Sequence, residues 1–365
     1  MSKIMLISPK DNNFYNFRSE LILKLKEMGH EVVLVCPYGK KIDYFTERGC
    51  RFFDLNIDRR GTSVVKDLKL VRGYYRLIKN EKPDVVLTYT SKSSIYAGFV
   101  CGLKRVPYIV NNAGLIETTG LFDKFMKFLY WLGFRKASCL MFQNKQECDV
   151  IEGLLYNKVY YRRIPGSGVN IQNFAFAEYP ENDDEIYFNY VALIKKIKGI
   201  SEYLECAKRI KAKYPHTHFR IYGEYDSTEY NQIILEYQEK GIIEYQGVKL
   251  DMKPEIRSCH AVIHPSYYEG MTNVVLEHSA IGRVCLGSNI PGVAEGIEDS
   301  KTGYLFEVKN VDSMVEAVEK FLNLPHIEKV EMGRQARRKM ELEFSREIVT
   351  NTYIEEIEKI LKSKG

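Results

Sequence analysis

Short, wholly apolar runs recur along this chain, each followed by a stretch of helical periodicity, and this alternation limits the fold more than any other feature. Glu31–Cys36 (Glu-Val-Val-Leu-Val-Cys) is the clearest run; it has no polar face, so it must be covered on both sides, as the strands of a parallel sheet are. By the same reading strands are expected at 3–8, 51–55, 84–89, 107–111, 137–143 and 159–164, with helices at 17–29, 63–80 and 94–103. The second half repeats the pattern, with strands at 186–193, 218–222, 243–246, 261–264 and 283–287 and helices at 201–214, 230–240, 252–258 and 273–281. Helices at 311–322, 326–343 and 346–362 close the chain. Strand and helix in strict alternation predict an α/β fold of parallel sheets with right-handed crossovers.

At 365 residues the chain is too long for one ordinary core. The turn-forming stretch Ile164-Pro165-Gly166-Ser167-Gly168-Val169-Asn170, followed by the acidic 179–185, places a boundary between domains 1–170 and 171–345. Both are expected to be Rossmann-like and doubly wound, facing across a cleft, because open parallel sheets take ligands beyond the carboxyl ends of their strands.

The charge is uneven. Residues 1–170 carry 28 Lys and Arg against 16 Asp and Glu, and the remainder 25 against 32. The first half is therefore suited to an anionic surface or ligand. No nucleic-acid motif is present, so nucleic acid is not an expected partner. The eight cysteines are scattered with no C-x-x-C pair, there is no export signal, and no window reaches 18 apolar residues. These point to the cytoplasm.

Pro265-Ser266-Tyr267-Tyr268-Glu269-Gly270-Met271-Thr272-Asn273-Val274-Val275-Leu276-Glu277 carries the most chemistry. It runs from a strand end through a glycine turn into an apolar helix, whose free N–H groups and dipole suit a phosphate. Glu269 precedes the turn and Glu277 lies about one turn inside the helix, so each carboxylate can accept from the hydroxyls at one end of a diphosphate flanked by two polyols. Such a compound is a nucleotide-sugar.

With these residues the chain resembles the family 4 retaining glycosyltransferases of the GT-B fold. Further supports are Pro165–Asn170 with Phe174, Lys198-Gly199-Ile200, Pro291-Gly292-Val293-Ala294-Glu295 and Lys301-Thr302-Gly303-Tyr304-Leu305. It looks most like bacterial enzymes of capsule, O-antigen and lipid-linked oligosaccharide synthesis. The resemblance implies that Glu269 and Lys198 are catalytic, Glu269 at the donor sugar and Lys198 at the diphosphate. It implies donor contacts from the amides of Gly270, Met271, Thr272 and Asn273, from Glu277 at the ribose, from Gly223, and from Val248 and Lys249 near the base. It implies a UDP-sugar donor, a lipid-linked saccharide acceptor, no cofactor and no metal. It also implies that the closing helix, 346–365, crosses back to the acceptor-binding first domain.

Three departures stand out. Leu193 occupies the place of a usual second diphosphate ligand, an arginine; Lys195 or Lys196 can supply charge there but no bidentate fork. The segment Ser8–Arg18 has no glycine, and its Asn16 and Arg18 are expected on the acceptor side. No first-domain histidine suits the sugar, so Asn112, Gly114 and Glu117 of the loop after the 107–111 strand are the expected acceptor or sugar contacts. The aromatic, basic stretch Leu121–Lys136 reads either as a core helix or as one lying on the anionic inner face of a membrane, which would make the protein peripherally attached. Two rivals to a transferase are a UDP-sugar epimerase, disfavoured by the few histidines, and a weakly active binding partner, suggested by Leu193. No G-x-G-x-x-G follows a strand, which removes a nicotinamide dehydrogenase.

Overall fold

A computed structural model describes residues 1–57, 64–111, 120–143, 145–155 and 159–363. The chain divides into two compact units, Met1–Ser167 with Glu347–Gly365, and Gly168–Arg346.

The first unit runs β1 (Lys3–Ile7), α1 (Asp11–Phe17), α2 (Ser19–Glu27), β2 (Glu31–Cys36), α3 (Asp43–Thr46), β3 (Arg51–Asp54), α4 (Val64–Glu81), β4 (Val85–Tyr89), α5 (Ser91–Lys104), β5 (Tyr108–Asn111), α6 (Gly120–Phe134), β6 (Cys139–Phe142), α7 (Lys145–Leu155) and β7 (Tyr161–Arg163). Its strands form one parallel sheet in the order β3-β2-β1-β4-β5-β6-β7. Phe14, Leu21, Ile22 and Leu25 of α1 and α2 pack on one face, and Ile95, Ala97, Val100 and Cys101 of α5 pack on the other. The order thus reverses between β1 and β4, where the two flanking helices leave on opposite sides.

The second unit runs β8 (Ile186–Val191), α8 (Ile200–Lys213), β9 (Thr217–Tyr222), α9 (Asn231–Glu239), β10 (Glu244–Gly247), α10 (Lys253–Arg257), β11 (Ala261–His264), α11 (Asn273–Ile281), β12 (Val284–Ser288), β13 (Gly303–Phe306), α12 (Val311–Leu322) and α13 (His326–Glu343). The sheet order is β10-β9-β8-β11-β12-β13, again all parallel. Its reversal lies between β8 and β11.

The last helix, α14 (Arg346–Lys362), fills the first unit: Val349, Tyr353, Ile357 and Ile360 join the core beneath α1 and α2. Tyr353 is 1% exposed and its hydroxyl accepts a 2.6 Å hydrogen bond from Asn111 Nδ2. Arg162 binds Glu356 at 3.0 Å from the neighbouring strand β7. Apolar burial and these polar ties explain why a helix so far along the chain returns here.

Within the stretch Ser8–Arg18, Asp11–Phe17 is helical, with Asp11 in the first turn where the dipole favours it. Strand β13 escaped the sequence reading because its four residues follow a turn and are too few to show a period. Helix α6 is two-sided: Tyr130 and Phe134 are buried, while Phe125 and Phe128 are exposed beside exposed Lys124 and Lys127. Among the described residues no helix is long and apolar enough to cross a membrane.

Replacing Tyr353 with alanine removes a buried ring and orphans the Asn111 amide. Urea unfolding of Tyr353→Ala should show about 3 kcal/mol lost from the first unit, the usual scale for truncating a buried aromatic; a loss under about 1 kcal/mol would contradict this packing.

Candidate functional site

The second unit brings its chemistry together at the β8/β11 reversal. Beyond β8 the chain makes a 3-10 turn, Lys196–Lys198, ended by Gly199, from which α8 starts. Beyond β11 it passes Pro265–Thr272 and enters α11. The two connections are tied directly: the Tyr267 amide donates to the Ile197 carbonyl at 2.9 Å, and the Tyr267 hydroxyl donates to Glu202 Oε1 at 2.6 Å.

That tie sets Lys198 against Glu269. Lys198 Nζ lies 2.5 Å from Glu269 Oε1, Ser266 Oγ donates to the same oxygen at 2.8 Å, and His264 Nε2 lies 3.2 Å from it. All three partners converge on Oε1, and among the described residues none engages Oε2. Burial alone would raise the Glu269 carboxyl; the hydrogen bond and charge of His264, then those of Lys198, outweigh it and hold it at about 2. Glu269 is therefore ionised at any physiological pH. His264 is the last residue of β11, and no spacing in the sequence marks it as a neighbour of Glu269.

Gly292 braces the same loop from the far side. Its φ is +79°, and a Cβ there would meet the Gly270 carbonyl oxygen at 2.3 Å. The Gly292 carbonyl accepts from the Thr272 amide at 3.0 Å. Of the four amides expected to contact the donor, that of Thr272 is therefore already engaged by the protein. The amides of Met271 and Asn273 have no backbone acceptor among the described residues, and Asn273 heads α11, so the anion-attracting end of that helix is open.

Glu277 lies on the second turn of α11, half-buried, with no hydrogen bond to its carboxylate among the described residues. Burial pushes its carboxyl up to about 7, against the opposing charge of Arg346. Gly223 ends β9 with φ +155°, and a Cβ would strike the Ala192 carbonyl at 1.8 Å, so the close approach of β8 and β9 itself requires glycine there. Val248 and Lys249 follow β10 and are exposed, with Lys249 Nζ 3.7 Å from Glu255. Lys196 and Leu193 are exposed, Lys195 half-buried.

In the first unit Asn16 is exposed on α1, and Arg18, between α1 and α2, is 5% exposed. Asn112, Gly114 and Glu117 lie outside the described residues. The described residues contain no group of three or more His, Cys, Asp and Glu that could hold a metal ion.

With this geometry in place, comparison with known proteins is informative. The model for glycosyl transferases group 1 matches residues 171–339, and that for glycosyl transferase 4-like proteins matches residues 3–144. The chain belongs to the family-4-like glycosyltransferases of the GT-B fold. It is 23% identical to the N,N'-diacetylbacillosaminyl-diphospho-undecaprenol alpha-1,3-N-acetylgalactosaminyltransferase of Campylobacter jejuni, over 99% of this chain and 100% of that protein. It is 26% identical to the UDP-Gal:alpha-D-GlcNAc-diphosphoundecaprenol alpha-1,3-galactosyltransferase of Escherichia coli, over 79% of each. A glycosyltransferase crystal structure from Rickettsia africae has the same fold, with a TM-score of 0.81 at 16% identity and 99% of both chains covered.

The Glu277 site has a measurable pH signature. An unfolded glutamate ionises near 4.5 and the folded one near 7, so the native state holds this proton more tightly. Stability should fall as pH rises from 4.5 to 7 and stay lower above 7, by up to about 3 kcal/mol. Glu277→Gln should match the parent at pH 4.5 and exceed it at pH 8 in denaturant titrations; equal stabilities at pH 8 would remove the buried charge from the account.

Proposed function

We propose that this glycosyltransferase retains configuration and moves a hexose or N-acetylhexosamine from a UDP-sugar to a lipid-linked saccharide, in bacterial surface polysaccharide synthesis. The second unit binds the donor and the first the acceptor. One observation carries the reading: Lys198 and Glu269 meet at the sheet reversal beside the open end of α11, with Glu269 Oε2 left to accept from a sugar hydroxyl.

The chemistry follows from the charges. Breaking the sugar–phosphate bond puts negative charge on the leaving diphosphate. Lys198 and the α11 amides oppose that charge where it grows. Glu277 accepts from the ribose hydroxyls. A carboxylate held near 2 is a poor proton acceptor, so Glu269 orients and electrostatically supports the sugar rather than deprotonating the attacking hydroxyl. The departing phosphate oxygen takes that proton on the face it leaves, which retains configuration and needs no metal. Two similar proteins are named as alpha-1,3 transferases acting on diphospho-undecaprenol-linked sugars, one with UDP-Gal, and both names fit this scheme.

The test is transfer from radiolabelled UDP-sugars to lipid extract, with and without EDTA. Label should pass to lipid unaffected by EDTA; Glu269→Ala should lose more than 100-fold in turnover while still binding UDP, and Glu277→Ala should bind UDP at least tenfold more weakly. Free isomerised donor, or UDP bound without turnover by the parent, would overturn the reading in favour of an epimerase or a binding partner.

The acceptor's location implies attachment to the anionic cytoplasmic face of the membrane. Phe125 and Phe128 are exposed beside Lys124 and Lys127 on α6, and Val65 and Leu68 are exposed on α4, which suits interfacial insertion. In flotation with phosphatidylglycerol vesicles, the double variant Phe125→Asp, Phe128→Asp should bind at least tenfold less than the parent; equal binding would return α6 to a purely packing role.

A further inference from the structure

Arg18 is a buried cation with no carboxylate partner among the described residues. It is 5% exposed, its Nη1 donates to the Phe17 carbonyl at 2.6 Å, and its Nε has no hydrogen-bond partner. Its guanidinium lies over the rings of Tyr89 and Tyr353, at 4.9 and 5.5 Å from their centroids. Ring faces offset only part of the cost of taking a guanidinium out of water. A buried charge of this kind calls for an anion.

Its place in the fold says where that anion would sit. Tyr89 is the last residue of β4, and β4 adjoins β1 at the reversal of the first sheet. That reversal is the counterpart of the β8/β11 reversal that gathers Lys198 and Glu269 in the second unit. The 14-residue helix α5 starts two residues after Tyr89, with its positive dipole end at the same strand edge. Ser94, in its first turn, is fully buried, and its Oγ has no partner. Arg18 thus lies against the last residue of β4, and the unsatisfied hydroxyl lies in the first turn of the helix that leaves that strand on the other face. A guanidinium, a hydroxyl and a helix N-terminus share one complementary chemistry, a phosphoryl oxyanion.

We propose that the β1/β4 reversal is a phosphoryl-binding subsite that holds the diphosphate of the lipid-linked acceptor through Arg18 and Ser94. The proposal rests on the acceptor reading above. Gripping the diphosphate rather than the terminal sugar would fix the distance from the lipid anchor to the attacking hydroxyl. It would also let one first unit accept saccharides that differ beyond the first sugar.

The full chain, saturated with UDP so that the Lys198 site is filled, is titrated by calorimetry with inorganic pyrophosphate, farnesyl diphosphate and farnesol. Both diphosphates should bind, farnesyl diphosphate at least as tightly, and farnesol should not. Arg18→Gln should weaken both by tenfold or more and Ser94→Val by about threefold, with UDP affinity within twofold of the parent; retained UDP binding also certifies that each variant is folded. Diphosphate binding unchanged in both variants, no binding by the parent, or loss of binding in Lys198→Ala without UDP would overturn the subsite. Pyrophosphate bound with farnesyl diphosphate excluded would mean a free-anion site and would overturn the acceptor assignment. Failure of UDP itself to bind strikes the donor reading alone, because the pyrophosphate titration can then be read directly.

Discussion

One carboxylate oxygen organises the second unit. Glu269 Oε1 is where the loop after β11, the turn after β8 and the end of β11 itself converge, through Ser266, Lys198 and His264. His264 and Ser266 belong to the same stretch as Glu269 and Lys198 to the turn after β8, so the oxygen ties these two connections together. Around it lies a second set of constraints with no charge: the Tyr267 amide on the Ile197 carbonyl and the Thr272 amide on the Gly292 carbonyl. The loop is thereby rigid on both flanks before any ligand arrives, and rigidity of this kind is what electrostatic catalysis needs.

The two carboxylates of this region are tuned in opposite directions by their surroundings. Both are drawn from water, which penalises charge. Glu269 is compensated by cationic and hydrogen-bonding neighbours and stays ionised, at about 2. Glu277 has only the more distant help of Arg346 and is left near 7. An uncompensated carboxylate reduces stability, and the proposed contact with the ribose hydroxyls is a plain physical reason for keeping one.

Much of this was readable in the sequence because it obeys local rules. Glu31–Cys36, Ala261–His264, Asn273–Ile281 and the three closing helices carry their own periodicity and breakers, and the structure reproduces their limits. That Lys198 and Glu269 belong to one site was implied by resemblance, but their direct contact and the convergence on a single oxygen were not. His264 and Ser266 have no spacing that distinguishes them from ordinary strand-end residues. The engaged Thr272 amide depends on Gly292, twenty residues on, which no local pattern reports. Arg18 shows the same limit: its burial follows from α14, more than 300 residues away in the chain.

That distant helix has a consequence for how the molecule is made. The core beneath α1 and α2 lacks Val349, Tyr353, Ile357 and Ile360 until α14 has been synthesised. During translation the second unit is therefore the first to have all of its parts, although its residues emerge later. The first half leaves the ribosome with an apolar groove still uncovered, and that surface is open to wrong contacts until α14 arrives to seal it.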